Sequence, residues 1–309
     1  MADRLIEAQS ARFTRLDPLL PAAARPPEGE VVTAALADGA RVAGVLVHST
    51  FELGTASSLW SALSVWELHP LIGDGGGEAM EALLRGWRGL MDRTEPGPDS
   101  ACVVTWPSRD VESTKALLDH GFLPLSCVGV RLAGQPTGIE VPGAGDTTIR
   151  PVRPADLDSA LDLALDELEY SSLVGATVWR PGAAELKRDT LARRLEQGDP
   201  MWLAERDGVA VGLVECWLTD AKPDSWTATR LPLGRWGYVN CLSVAPEARG
   251  SGVGRDLMAV AHRELAARGA IGTFLYFNPP NPLSTVFWAR QGYRPLWTIW
   301  EVRPAGALR

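Results

Sequence analysis

Two stretches of this chain repeat one another at a fixed spacing, and that limits the fold more than composition does. Ser113-Thr114 stands eight residues before Gly121-Phe122-Leu-Pro124, and Ser284-Thr285 stands eight before Gly292-Tyr293-Arg-Pro295; the two sets lie 171 residues apart. His69-Pro70 matches Ala245-Pro246 at a spacing of 176. Asp38-Gly39 followed by Val42-Ala-Gly44-Val-Leu-Val47 echoes Asp207-Gly208 followed by Ala210-Val-Gly212-Leu-Val214. Matches that keep their order and a near-constant spacing point to a duplicated unit. A chain of 309 residues divides naturally into two domains, and 46% apolar residues suffice for two cores. The glycine- and proline-rich run at 133–145 breaks both strand and helix patterns. We therefore read residues 1–133 as one domain, 134–146 as a linker and 147–309 as the second domain.

The second unit carries the most informative turn. An apolar run at 239–244 leads into Ala245-Pro-Glu-Ala-Arg249-Gly250-Ser251-Gly252-Val253-Gly254-Arg255, and a helix-periodic segment at 257–267 follows. Glycines there let backbone N–H groups crowd an anion, because no Cβ blocks the approach. The helix behind them points its positive end at the same spot. Arg249 and Arg255 flank the turn and add charge. The pattern reads as a pyrophosphate cradle. It is not a P-loop, since no lysine follows, and the Gly-x-Gly-x-x-Gly spacing of dinucleotide folds is not met.

Arg249-x-x-Gly252-x-Gly254 after a Val-x-Pro strand end resembles the acyl-CoA loop of the GNAT (GCN5-related N-acetyltransferase) superfamily. Asn281, a helix near 283–290 and then Gly292-Tyr293 follow, as in that family, and Thr148-Ile-Arg-Pro-Val-Arg-Pro-Ala-Asp156 resembles its first strand and helix opening. The resemblance covers about residues 146–303. It implies an α/β fold of two tandem GNAT domains, each a mixed central β-sheet flanked by helices, the arrangement known in mycothiol synthase. Periodicity places helices at 155–169 and 183–196 and strands at 201–205, 210–218, 237–244, 271–277 and 293–302. In the first domain it places strands at 41–48, 58–68 and 101–106 and helices at 78–92 and 109–119. The last strands of the two domains are free to pair across them.

The resemblance also implies a function. Acetyl-CoA, or another acyl-CoA, would be the cosubstrate, and a primary amine of a small molecule would accept the acyl group. The coenzyme would contact Leu242, Val244, Arg249, Gly250, Ser251, Gly252, Val253, Gly254, Arg255 and Asn281, with the N–H of Leu242 or a neighbour polarising the thioester carbonyl. Asn281 reads equally as a helix cap. The family's proton-donating tyrosine is replaced by Trp288, which is no acid; Ser284, one turn earlier on the same face, is the candidate donor, or else a packing serine. The family's strand glutamate falls at Asn240 or Cys241. Glu215, a lone acid in an apolar strand, is the candidate base, and solvent exposure is its other reading. Cys241 reads as a buried structural thiol. A non-catalytic acyl-CoA sensor is the alternative from another class.

The first copy looks different. After Pro70 it reads Leu-Ile-Gly73-Asp74-Gly-Gly-Gly77-Glu78, with two acids and no arginine. Residues 1–145 carry 11 Lys+Arg against 18 Asp+Glu, and residues 146–309 carry 19 against 20. The first domain is expected to have lost the coenzyme and become structural; a weak second site is the competing reading. Asp166, Glu167 and Glu169 late in a helix, with Trp179, Trp226 and Trp236 in loops, suit a cationic amine with an apolar body. The acids read equally as a solvated helix face. The long connection at 218–236 reads as a lid.

Four cysteines without C-x-x-C spacing or nearby histidine pairs argue against a metal site and a disulfide framework. Residues 1–21 lack the apolar stretch of a signal peptide, and no apolar run approaches a membrane span, so a cytoplasmic protein is expected. A net charge of −8 disfavours nucleic acid.

Overall fold

The computed structural model describes residues 2–135, 146–175 and 177–309, so most of the expected linker lies outside the described residues. Helix α1 (Ala2–Leu16) leads into β1 (Glu30–Ala35), β2 (Arg41–Thr50) and β3 (Ser64–Leu71). Then come α2 (Gly76–Met91), β4 (Ser100–Pro107), α3 (Val111–Asp119) and β5 (Leu123–Leu132). The second half runs β6 (Thr148–Pro151), α4 (Leu157–Leu173), α5 (Ala183–Glu196), β7 (Met201–Arg206), β8 (Val209–Ala221) and β9 (Gly234–Val244). It closes with α6 (Val253–Ala267), β10 (Gly272–Phe277), α7 (Ser284–Arg290) and β11 (Arg294–Val302). The repeated glycines end α3 and α7, at φ 85° for Gly121 and 84° for Gly292, a left-handed conformation that a Cβ disfavours.

Among the described residues, eleven strands form one mixed sheet, in the order β1-β2-β3-β4-β11-β5-β10-β9-β8-β7-β6. Each half's last strand therefore sits in the other half. β11 lies between β4 and β5, pairing Trp297 with Pro107 and Val302 with Cys102. β5 reaches β10, pairing Cys127 with Phe277 and Leu132 with Gly272. The two exchanged strands run antiparallel at the centre of the sheet. Core composition follows from this. Leu231, Trp236, Phe274, Trp297 and Trp300 belong to the same buried cluster as Phe13, Trp87 and Trp106, while Cys127 joins the second half's cluster.

Two expectations need correction. The strand expected at 58–68 is a short 3₁₀ turn, Ala56–Leu59, followed by β3. The connection at 218–236 is no lid: β8 and β9 extend into it, and its tip docks on the first half. Leu231 and Trp236 are fully buried there, and Trp297 Nε1 donates to the Arg230 carbonyl at 2.8 Å. The first half answers in kind. Leu59 packs on Leu168 and Ala183, the Val178 amide donates to the Leu59 carbonyl at 2.8 Å, and Arg180 pairs with Asp99 at 2.9 Å. Trp236, read in sequence as part of a cover for a site, is consumed by docking the halves, while Trp226 stays exposed.

Candidate active site

Strands β9 and β10 run parallel but stay together only where Gly272, Thr273 and Phe274 meet Trp236, Gly237 and Tyr238. Beyond that they part. A bulge assists: pairing with β8 steps from Glu215–Cys241 to Cys216–Val239, leaving Asn240 without a partner in the register. Such bulges bend a strand and re-aim its groups. The wedge so opened is a cleft of about 530 Å³, closed below by the turn after β9 and on its flanks by α4 and α7.

The turn is built as its glycines suggest. A 3₁₀ turn, Pro246–Ala248, drops the chain from the sheet, and Gly252, at φ 97°, forms the N-cap of α6 with no side-chain cap on the helix. Helix α6 anchors this terminus by burying Val253, Leu257, Met258, Ala261 and Leu265. A Cβ on Gly254 would already touch Val244 and Phe287 at 3.4–3.6 Å, so strand, turn and α7 are close-packed here. Arg249 Nε donates to the Val244 carbonyl at 3.0 Å, and its guanidinium faces the Tyr170 ring. Arg255 pairs with Asp256 at 2.8 Å.

Leu242, Val244, Arg249, Gly250, Ser251, Gly252, Val253, Gly254, Arg255, Asn281 and Ser284 all line this one cleft. Asn281 is a cap as well: its Oδ1 accepts from the amides of Leu283 and Ser284 at 3.0 and 3.1 Å, which leaves its NH₂ for a ligand. The Ser284 hydroxyl is buried without a partner among the described residues. Trp288 packs on Tyr293 and Phe287 as part of the core, so its indole plays no acid role.

Glu215 is the exception. It is fully buried but does not line the cleft. Its Oε2 accepts from Lys187 Nζ at 3.0 Å and from Asn240 Nδ2 at 2.8 Å, so Asn240 stands between it and the opening. An apolar strand correctly signalled burial but not which layer received the carboxylate. The acid that does line the cleft is Glu167, from the group expected near an acceptor; Asp166 and Glu169 are exposed. Burial pushes the Cys241 thiol well up, in keeping with a structural cysteine.

Residues 164–293 match the Acetyltransferase (GNAT) family. Over this stretch the chain is similar to GNAT proteins. Mycothiol acetyltransferase of Streptomyces bingchenggensis (strain BCW-1) is 30% identical over 170 residues, covering 53% of this chain and 49% of that protein. Mycothiol acetyltransferase of Parafrankia sp. (strain EAN1pec) is 28% identical over 202 residues, 61% and 62% of the two chains. The alignments thus span about half to three-fifths of these relatives' own lengths. A crystal structure of a GCN5-related N-acetyltransferase from Sphaerobacter thermophilus matches 98% of this chain and 93% of its own with a TM-score of 0.60 at 15% identity, so the whole architecture is shared.

The matching position in the first half is filled by the protein's own chain. Gln9 of α1 bonds both ways to the end of β3: Nε2 donates to the Pro70 carbonyl at 3.0 Å, and Oε1 accepts from the Ile72 amide at 2.9 Å. Phe13 wedges between Trp106 and Trp297, 5.5 Å from each. Arg12 chelates Asp110 at 2.7 and 2.9 Å, Arg15 meets Asp74, and Leu5 and Ala8 lie against Gly73. Asp110 is the repeat counterpart of Asn281 and caps its helix likewise. Ser113, the counterpart of Ser284, donates to Asp110 at 3.1 Å, whereas the Ser284 hydroxyl is orphaned. Sequence reading missed this plug, although Gln9, Phe13 and Leu16 at helical spacing were its signal. Gln9→Ala leaves a buried carbonyl and amide unpaired, so calorimetry should show about 1–3 kcal/mol of lost stability with no change in coenzyme affinity.

Proposed function

We propose that the second half transfers an acyl group, acetyl, from acyl-CoA to the primary amine of a small molecule. The observation that carries this reading is the uncapped N-terminus of α6 at the floor of a wedge between parted strands. Amides of the turn at 250–255, with Arg249, fit a diphosphate. The β9 backbone near Leu242 and Val244 fits the pantetheine amides, and the Asn281 NH₂ faces the same space. The orphaned Ser284 hydroxyl fits a polar partner inside the cleft. Bound acyl-CoA supplies the activated thioester; the residues hold it, exclude water and stabilise charge. The N–H of Leu242 or a neighbour polarises the carbonyl, and Ser284 passes a proton to the leaving sulfur.

The acceptor has a route of its own. A second cavity of about 560 Å³ is lined by Ser172 and Pro280, the chain neighbours of Ser171 and Asn281 in the cleft. Its walls come from both halves, with Pro124 on one side and Trp179 on the other. Glu301 lies in it; burial raises its carboxyl, against the pull of Arg303 at 2.8 Å. An amine with an apolar body suits these walls. Likeness to two mycothiol acetyltransferases favours a mycothiol-type acceptor as the second reading.

Acetyl-CoA at 100 times its dissociation constant should stabilise the protein by about 2.7 kcal/mol, read as a raised melting temperature. Thiol release with a panel of primary amines should follow. Binding without turnover across the panel would favour a sensor, and an unchanged melting temperature would remove the coenzyme altogether.

A further inference from the structure

Behind the cleft lies a charged layer that the steps above leave unused. Lys187 of α5 and Glu215 of β8 are buried and pair at 3.0 Å. Their mutual bond occupies the ammonium, which makes no hydrogen bond to Glu167 among the described residues. Glu167 projects from α4 into the cleft, and Ser171, one turn on, donates to its Oε1 at 2.6 Å. Its Oε2 has no hydrogen-bond partner among the described residues. Asn240 stands where the strand glutamate was expected and has no basic character, while Glu215 is walled off behind it. One carboxylate therefore meets the space beside Leu242 and Ser243, and it comes from a helix, not a strand.

We propose that Glu167 is the catalytic base for the acceptor amine, with Ser171 and the Lys187–Glu215 pair as positioning residues. This rests on the acyl-transfer reading of the same cleft. Oε2 takes a proton from the ammonium, and the neutral nitrogen bonds to the acyl carbon. The C–S bond breaks, one of the two protons left on the nitrogen reaches the sulfur through Ser284 while the other stays in the product amide, and Glu167 releases its proton to solvent.

The surroundings suit the task. Burial raises the Glu167 carboxyl; the Ser171 hydroxyl and the Lys187 ammonium oppose this, and Glu215 adds to it. Tyr238 and Cys241 of β9 also face this layer, and both are kept neutral by burial. Arg249 approaches the same helix over Tyr170. A base lifted towards neutrality is matched to taking a proton from an amine.

Two measurements test this. With acetyl-CoA and 2-phenylethylamine, tryptamine or ethylenediamine as amine probes, Glu167→Gln should lower kcat about 10²–10⁴-fold and leave coenzyme affinity intact. The acid limb of the kcat/KM profile should vanish with it. Independently of turnover, carboxyl ¹³C titration of Glu167 should give a midpoint above the ordinary value of about 4.3. That midpoint should rise in Ser171→Ala, which loses the bond to the ionised form, and fall in Glu215→Gln, which loses a like charge. An ordinary midpoint that neither substitution moves, or full turnover by Glu167→Gln, overturns the assignment. If acetyl-CoA leaves the wild-type melting temperature unchanged, the acyl-transfer reading itself has failed, and the titration arm still reports the electrostatics separately.

Discussion

Gly252→Asp should weaken coenzyme binding by at least about 100-fold, measured by calorimetry on folded protein. Three effects act in one direction. Gly252 holds φ 97°, which costs an L-residue about 1–2 kcal/mol. A carboxylate at the N-cap would accept hydrogen bonds from the first-turn amides that otherwise meet the diphosphate. Its charge would also repel that diphosphate. About 3 kcal/mol in total corresponds to the two decades expected. Gly252→Ala, which keeps only the backbone strain and a contact with Arg255, should lose far less. Equal affinity in wild type and Gly252→Asp would remove the turn from the binding site.

Residues 2–135 and 146–309, produced as separate polypeptides, should each fail to give a folded, coenzyme-binding monomer, whereas the two together should reconstitute one. The reason is the strand exchange. Without β5 the second half would expose the β10 edge and detach β11 from its neighbours on both sides. Such edges invite aggregation. Val128 and Val130 on β5, and Trp297 and Trp300 on β11, are buried across the boundary. Each such side chain contributes about 1.5–3 kcal/mol of burial, so losing several consumes a typical stability of about 5–15 kcal/mol. Circular dichroism, gel filtration and a thermal-shift assay with CoA would read the outcome. A well-folded 146–309 fragment that binds CoA as tightly as the whole chain would contradict the exchange.

These two expectations draw on different sources. The first was legible from consecutive letters. A strand, a turn with Gly250, Gly252 and Gly254, and a helix define a backbone path through local sterics alone, and the nine residues on that path proposed for the coenzyme line one cleft, with Asn281 joining them from beyond β10. The side-chain chemistry was less legible. Glu215 is a lone acid in an apolar strand and Glu167 one of three acids late in a helix, and periodicity assigns neither a direction. Depth was decided by α5, whose Lys187 reaches across to Glu215 and seals it in. The connection at 218–236 shows the same limit, since both its tryptophans read alike as loop residues, yet Trp236 is fully buried and Trp226 is exposed.

What the sequence determined by itself was the duplicated unit, the glycine turn at the head of α6 and the inequality of the two copies, because each is written in residues close together along the chain. The tertiary structure alone decided that the halves trade their final strands, that α1 fills the first cleft with the Gln9 carboxamide, and that a helical acid faces the second. Those outcomes depend on which backbone edges and apolar faces meet over long separations, from 61 residues between Gln9 and Pro70 to 200 between Cys102 and Val302. A strand's alternation records only that it has neighbours, and hydrogen-bond donors and acceptors are the same on every edge.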